Sequence, residues 1–98
     1  MTRDEALARI RPHERELREA GLAALYLFGS TARDEAGAES DVDLLCELDT
    51  NRNLGLFEFM GIQDLLTSLA ASKVDLLEPN RLRPLIRARV EPDMVRVF

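Results

Sequence analysis

Few residues in this 98-residue sequence could cross-link the chain or anchor it in a membrane. Its one cysteine, Cys46, excludes an internal disulfide and is typical of a protein from a reducing compartment. No apolar run approaches the roughly 20 residues of a membrane span, and the charged N-terminus lacks the apolar segment of a signal peptide. The sequence therefore predicts a cytoplasmic protein with no membrane association, in which Cys46 is a small core residue.

Positive charge is also scarce. The chain has 18 acidic residues against 13 lysines and arginines, a net charge of −5. Because nucleic acids attract basic surfaces, we expect no general nucleic-acid binding. Lys73 is the only lysine, and arginine is the residue suited to bidentate contacts with phosphate or carboxylate. The length predicts one domain, 1–98, whose modest core could be completed by a partner.

Turn and helix-breaking residues divide the chain into short elements. A capping box at Thr2 begins the first helix, Pro12 breaks it and Gly21 ends it. Apolar runs and helical patterns then predict strands at 23–28, 42–48 and 74–77, helices at 54–71 and 84–90, and an apolar tail at 94–98. The tail is either an edge strand or a docking segment. This order predicts an α/β fold of the α+β type, with helices backing a small mixed sheet of three to four strands.

The chain is organised around the stretch that follows the first strand. Gly29 comes directly after the strand, where the chain must turn sharply, and glycine tolerates the positive φ of such a turn. Ser30 then begins a short helical segment whose first N–H groups have no partner within the helix. Unpaired N–H groups of this kind bind anions, so we expect a phosphate-binding turn here.

Two carboxylates follow at a fixed distance. Ten residues separate Ser30 from Asp41, and Asp43 follows after one apolar residue. Residues two apart on an extended chain project to the same face of a sheet. Two carboxylates on one face repel each other unless a cation lies between them, so the pattern predicts a divalent-metal site opposite the phosphate-binding turn.

This combination of a Gly-Ser turn and an Asp-Val-Asp strand start resembles the signature of the polymerase-beta-type nucleotidyltransferase superfamily. The form GSTAR followed by SDVDLL is most similar to the minimal nucleotidyltransferases, which are small single-domain proteins. The resemblance implies a palm-like nucleotidyltransferase fold, ATP as substrate and two Mg²⁺ ions. It implies that Asp41, Asp43 and Asp75 ligate the metal and are the catalytic carboxylates, with Asp75 able to accept the acceptor's proton.

The same resemblance assigns the nucleotide-binding residues to Gly29, Ser30, Arg33 and Ser40. Arg33 lies one helical turn after Ser30 and could reach the same phosphates. Each assignment has a structural alternative: Ser40 and Asp41 could form a simple turn, Arg33 could pair with Glu39 or Asp34, and Asp75 could be a surface residue of an edge strand.

Minimal nucleotidyltransferases are often antitoxins that accompany a HEPN-type ribonuclease toxin. The resemblance therefore implies transfer of AMP from ATP to a hydroxyl of that toxin, in particular a tyrosine, within a hetero-oligomer. Two alternatives stay open: an antitoxin that neutralises its partner by binding alone, and a nucleotidyltransferase with a small-molecule acceptor.

A partner surface is also predicted by the long helix. Leu56, Phe57 and Met60 fall outside the arc that holds its other apolar residues. A helix that is apolar beyond one face is either buried on two sides or contacts another chain. We therefore expect these residues, together with the tail at 95–98, to contact a partner, unless the first helix covers them.

Overall fold

The computed structural model describes residues 1–35, 37, 41–79 and 84–98, and for residues 86 and 87 it describes the backbone alone. Two short helices begin the chain, α1 at Arg3–Ile10 and α2 at Glu14–Ala20. The Thr2 hydroxyl accepts a hydrogen bond from Glu5 N at 3.1 Å and so caps α1. Pro12 lies in a 3₁₀ turn between the two helices, because proline cannot continue the hydrogen-bond pattern of α1. Gly21 ends α2 with a φ of 126°.

Four strands form one mixed sheet. They are β1 at Leu22–Phe28, β2 at Val42–Leu48, β3 at Val74–Leu77 and β4 at Val95–Arg96. The order across the sheet is β3-β2-β1-β4, and β1 is antiparallel to both of its neighbours. β2 and β3 are parallel, so the chain must cross over between them. That crossover contains α4 at Leu56–Ala70, while α3 at Gly29–Ala32 follows β1 and α5 at Pro84–Val90 follows β3.

The two faces of the sheet are different in character. Apolar side chains at alternate strand positions, such as Leu25 and Leu27 of β1, pack against α1, α2 and α4. The buried residues of this core include Ile10, Leu17, Leu25, Leu27, Val42, Leu44, Cys46, Ile62, Leu66, Val74 and Leu76. The intervening positions point to the opposite face, which we call the carboxylate face because it presents Asp43 and Asp75.

The C-terminal tail belongs to this core. Val97 and Phe98 are buried, and Phe98 N and O both bond to Leu25 of β1. The Arg18 guanidinium lies 4.9 Å from the centroid of the Phe98 ring. The tail thus forms an edge strand followed by buried residues, and the expectation that it contacts a partner was wrong for Val97 and Phe98.

Most predicted boundaries agree with the structure, and the long helix shows the largest difference. It begins at Leu56 instead of residue 54, because Gly55 N donates to Glu58 Oε2 at 2.9 Å and fixes the helix start there. Leu54 lies outside the helix and packs against Gly21. Within the described ranges, no helix combines the length and the hydropathy that a membrane crossing requires.

Candidate active site

Gly29 occupies a position that only glycine fills without strain. Its φ is +72°, and a Cβ atom there would overlap Asp43 Oδ2 and lie 3.2 Å from Asp43 Cγ. The predicted positive φ is therefore present, and the missing side chain lets the Asp43 carboxylate lie against the backbone. The turn after β1 and the start of β2 meet at this contact.

Two of the three predicted carboxylates, Asp43 and Asp75, lie on one face and at one end of the sheet, and Asp41 directly precedes β2. Asp43 is the strand partner of Asp75 on the parallel neighbour β3, and also of Phe28 on β1. Asp41 precedes Asp43 by two residues and is half-buried. Burial raises the pKa of Asp43 above its ordinary value, and the negative charges of Asp75 and Asp41 raise it further, while Arg33 lowers it. The carboxylates are therefore close enough to repel each other.

Two basic residues lie near these carboxylates. Lys73 Nζ is 3.7 Å from Asp41 Oδ2, and both side chains are substantially exposed. Arg33 Nε is 3.2 Å from Glu35 Oε2, and Arg33 Nη1 is 3.9 Å from Asp93 Oδ2. The guanidinium lies near enough to Asp43 to lower the pKa of that carboxyl. Arg33 is therefore close to the turn at which phosphates are expected.

Among the described residues, Arg33 pairs with Glu35 and Asp93 and not with Asp34, one of the two partners that the sequence suggested. Asp34 instead accepts a hydrogen bond from Arg3 N at 3.0 Å. Glu39, the other suggested partner, and Ser40, the fourth predicted nucleotide-binding residue, lie outside the described residues. Asp75 fits both of its interpretations, because it is exposed on an edge strand and is also paired with Asp43.

The turn also contains a buried hydroxyl that sequence reasoning missed. Ser30 is half-buried, and Thr31 beside it is 1% exposed. Among the described residues, Thr31 Oγ1 has no hydrogen-bond partner. An unpaired buried hydroxyl costs roughly 1–3 kcal/mol, and such groups often mark places where a ligand or water completes the site. The sequence signal was the position of Thr31, directly after the Gly-Ser pair.

The donor set fits a hard divalent cation. Mg²⁺ prefers carboxylate oxygens, water and nucleotide phosphates, and the three aspartates supply only oxygen atoms. Burial raises the pKa of Asp43 and the negative charges of Asp75 and Asp41 raise it further, and a bound cation would offset that cost of the ionised carboxylate. Across residues 1–35, 37, 41–79 and 84–98, no group of three or more acidic, histidine or cysteine side chains converges closely enough to form a complete metal site.

Sequence comparison shows which known proteins the chain is similar to. A family model described as "Nucleotidyltransferase domain" matches residues 10–97. A curated relative, the protein adenylyltransferase MntA of Thermococcus cleftensis, is 33% identical over 98 residues, which covers 99% of this chain and 97% of the relative. The match therefore includes the turn, the carboxylate strands and the C-terminal tail.

Comparison with solved structures gives the same family of similar proteins. A solved minimal nucleotidyltransferase superposes with a TM-score of 0.80 at 27% identity, covering 97% of this chain and 95% of the other. The fold is shared by the chain of a toxin-antitoxin crystal structure with AMP-PNP (TM-score 0.70, 21% identity, 91% and 73% coverage). It is also shared by a chain in the complex of a tri-AMPylated Shewanella oneidensis HEPN toxin with its MNT antitoxin (TM-score 0.61, 20% identity, 90% and 68% coverage).

Proposed function

Because the chain belongs to the nucleotidyltransferase family, we propose that it transfers AMP from ATP to a tyrosine hydroxyl of a HEPN-type toxin and so acts as its antitoxin. The observation that carries the proposal is the pairing of Asp43 with Asp75 beside the Gly29 turn. That arrangement supports a phosphate site at the backbone of the turn, next to carboxylates that repel one another. The relative named as a protein adenylyltransferase and the neighbour with an AMPylated HEPN toxin support AMP as the transferred group and a protein as the acceptor.

Each residue of the site has a proposed task. The backbone at Gly29 and the Ser30 hydroxyl hold the β- and γ-phosphates, and Arg33 adds positive charge beside them. Asp41 and Asp43, with Asp75, would hold Mg²⁺, which supplies charge stabilisation to the attacking and leaving oxygens. A carboxylate oxygen of Asp75 accepts the proton of the acceptor hydroxyl. The acceptor oxygen then bonds to the α-phosphorus, the bond from that phosphorus to the bridging oxygen breaks, and pyrophosphate leaves.

The partner surface that we propose is on α4, distant from the carboxylates. Leu56, Phe57 and Met60 are 70%, 89% and 53% exposed, and their spacing places them on one side of the helix. We call these three residues the α4 patch. The first helix does not cover them, so the internal-packing alternative was wrong. Exposed apolar clusters on small proteins commonly mark binding surfaces.

The position of the α4 patch constrains how a partner could be modified. Leu56 lines a groove with Leu48 and Glu78, which lie at the opposite end of β2 and β3 from Asp43 and Asp75. Leu48 is five positions after Asp43 on the extended strand, a distance of about 17 Å. Since α4 packs on the opposite face of the sheet from these carboxylates, a toxin held at the α4 patch would have to extend a segment around the sheet to bring its tyrosine to them.

Mass spectrometry of the toxin provides the test. The protein is incubated with ATP, Mg²⁺ and the product of the neighbouring gene, which we expect to be a HEPN-type toxin that gains the mass of one or more AMP groups on a tyrosine. The Asp41→Asn, Asp43→Asn double variant should fold but leave the toxin unmodified. Modification at the parent rate by this variant would refute the assignment of the site.

Asp75→Asn separates catalysis from binding. If the antitoxin acts by transfer, this variant should still co-purify with the toxin but should neither modify nor neutralise it. If it neutralises by binding alone, which the separation of the α4 patch from the carboxylates allows, toxicity should stay suppressed without modification. A variant that transfers AMP normally but no longer binds the toxin would instead place Asp75 at the interface.

A further inference from the structure

A second concave feature lies on the carboxylate face, next to the candidate active site. It is a cavity of about 170 Å³. Its lining includes Tyr26, Leu45, Glu47, Val90, Glu91 and Met94. None of these residues was assigned to a site by the sequence motif, and they come from strands and from a C-terminal segment distant in the chain. The cavity is therefore a product of the tertiary fold.

The strand register places the cavity beside the carboxylates. Leu45 follows Asp43 as the next residue of β2 on the same face, about 7 Å away along the strand. Tyr26 is the strand partner of Leu45, just as Phe28 is the strand partner of Asp43. Leu45 is an apolar residue that is 2% exposed, so the floor of the cavity is apolar while the adjoining floor of the active site is acidic.

The opposite wall is connected to the phosphate-binding turn. Val90, Glu91 and Met94 come from the end of α5 and from the 3₁₀ turn at Glu91–Asp93. Asp93 in this turn is 3.9 Å from the Arg33 guanidinium, which also lies near Asp43. The wall of the cavity and the turn that would hold the phosphates are thus linked by one ion pair.

The chemistry of the lining restricts what the cavity can bind. An apolar site of roughly 150 Å³ can hold a benzene molecule, so a cavity of this size accepts a planar ring. Tyr26 offers an aromatic surface, and Val90 and Met94 offer apolar ones. Glu47 and Glu91 contribute only acceptor oxygens when ionised, which disfavours phosphate and favours a ring that carries an amino group.

We propose that this cavity binds the adenine base of ATP while the triphosphate lies at Gly29 and Asp43; the inference rests on the proposed function. A ribose separates the α-phosphate from the base, a spacing comparable to the distance from Asp43 to the cavity. The Glu47 carboxylate accepts a hydrogen bond from the exocyclic amino group of adenine, and the apolar lining contacts the ring. Val90 and Met94 are therefore determinants of nucleotide affinity, and Glu47 is a determinant of base preference.

Calorimetry with two ligands separates the base pocket from the phosphate site. ATP and inorganic tripolyphosphate are each titrated, with Mg²⁺, into the parent and Met94→Trp, in which the larger ring fills the cavity. The parent should bind ATP at least about tenfold more tightly than tripolyphosphate, because stacking and apolar contacts act on the base alone. Met94→Trp should bind both ligands with the affinity that the parent has for tripolyphosphate. Leu85→Trp, at an exposed position of α5, is the size-matched control and should keep the ATP preference.

The outcomes distinguish failure of this inference from failure of the proposed function. If the parent binds tripolyphosphate and ATP equally, or if a folded Met94→Trp keeps the preference for ATP, the base lies elsewhere and this inference is overturned alone. If the parent binds neither ligand, the proposed function fails and the inference falls with it.

A second variant tests recognition of the base without filling the cavity. Glu47 is exposed, so Glu47→Gln should fold normally. Inosine triphosphate carries a carbonyl oxygen in place of the amino group and a proton on N1; at the position of the amino group it therefore presents an acceptor that the Glu47 carboxylate repels. The parent should prefer ATP to inosine triphosphate, and Glu47→Gln, which can also donate, should reduce that preference severalfold. An unchanged ratio would overturn the role of Glu47.

Discussion

The Asp43 carboxylate lies against the α-carbon of Gly29, so one acidic side chain joins the turn after β1 to the start of β2. A Cβ atom at residue 29 would come within 3.3 Å of Asp43 Cβ and closer still to its carboxylate. The absence of a side chain at Gly29 therefore allows both the positive φ of its own backbone and the position of the Asp43 carboxylate.

Gly29→Ala should therefore lower the free energy of unfolding by more than about 1 kcal/mol. A φ of +72° is unfavourable for alanine, and the added methyl group displaces Asp43. Thermal unfolding followed by circular dichroism measures the change. Gly61→Ala is the matched control: a Cβ there meets no atom within 4 Å, and the residue lies inside α4. This control should stabilise the protein by about 0.5–1 kcal/mol. Equal effects of the two substitutions would contradict the strained turn.

Asp43→Asn should raise the melting temperature at neutral pH in the absence of divalent ions. The pKa of Asp43 is raised by burial and then by Asp75 and Asp41, so its ionised form opposes folding. The parent should gain stability as pH falls through the raised pKa, and the advantage of the variant should shrink there. Adding Mg²⁺ should stabilise the parent and have little effect on the variant. If the parent is more stable than the variant at pH 7 without metal, the ionised Asp43 carboxylate does not oppose folding and the prediction is wrong.

The same substitution should lower AMP transfer by several orders of magnitude, since metal charge stabilisation is worth several kcal/mol and about 1.4 kcal/mol corresponds to tenfold in rate. Rates of toxin modification measured by mass spectrometry would show this. Higher stability with lost transfer is the combination expected of a residue whose charge serves catalysis.

Phe57→Glu should leave the stability of the isolated protein within about 0.5 kcal/mol of the parent, because the side chain is 89% exposed. It should also abolish co-purification with the HEPN-type toxin if the α4 patch is the interface. Phe59→Glu is the contrasting variant, since Phe59 packs against the core and a charge there should unfold the monomer. Retained co-purification by a folded Phe57→Glu protein would exclude the α4 patch as the docking surface.

Cys46 should not react with thiol reagents in the native state. It is fully buried, and burial, followed by the charges of Glu78 and Glu47, raises its pKa to about 12. Thiolate is the reactive form, so labelling at pH 8 should be negligible until the protein unfolds. Absorbance assays with and without denaturant would measure this. Rapid labelling of the folded protein would show that the strand opens locally.

The sequence by itself determined the elements that depend on local chemistry. Thr2, Pro12 and Gly21 fixed the limits of the first helices, because capping, the missing proline N–H and a positive φ act within a few residues. The extents of β2, β3 and α5 agree with the apolar runs and the proline that define them. The alternation along β2 likewise placed Asp43 on the face opposite the buried Val42 and Leu44, since strand geometry has a period of two.

Only the tertiary structure decided which distant residues meet. The register of β3 on β2 sets Asp75 opposite Asp43, and no local preference in the sequence specifies that pairing. Burial of Phe98 and exposure of Phe57 depend on which neighbours cover each surface, although both residues lie in apolar segments. The cavity between Tyr26 and Met94 has the same origin, because packing between distant segments is a property of the whole chain.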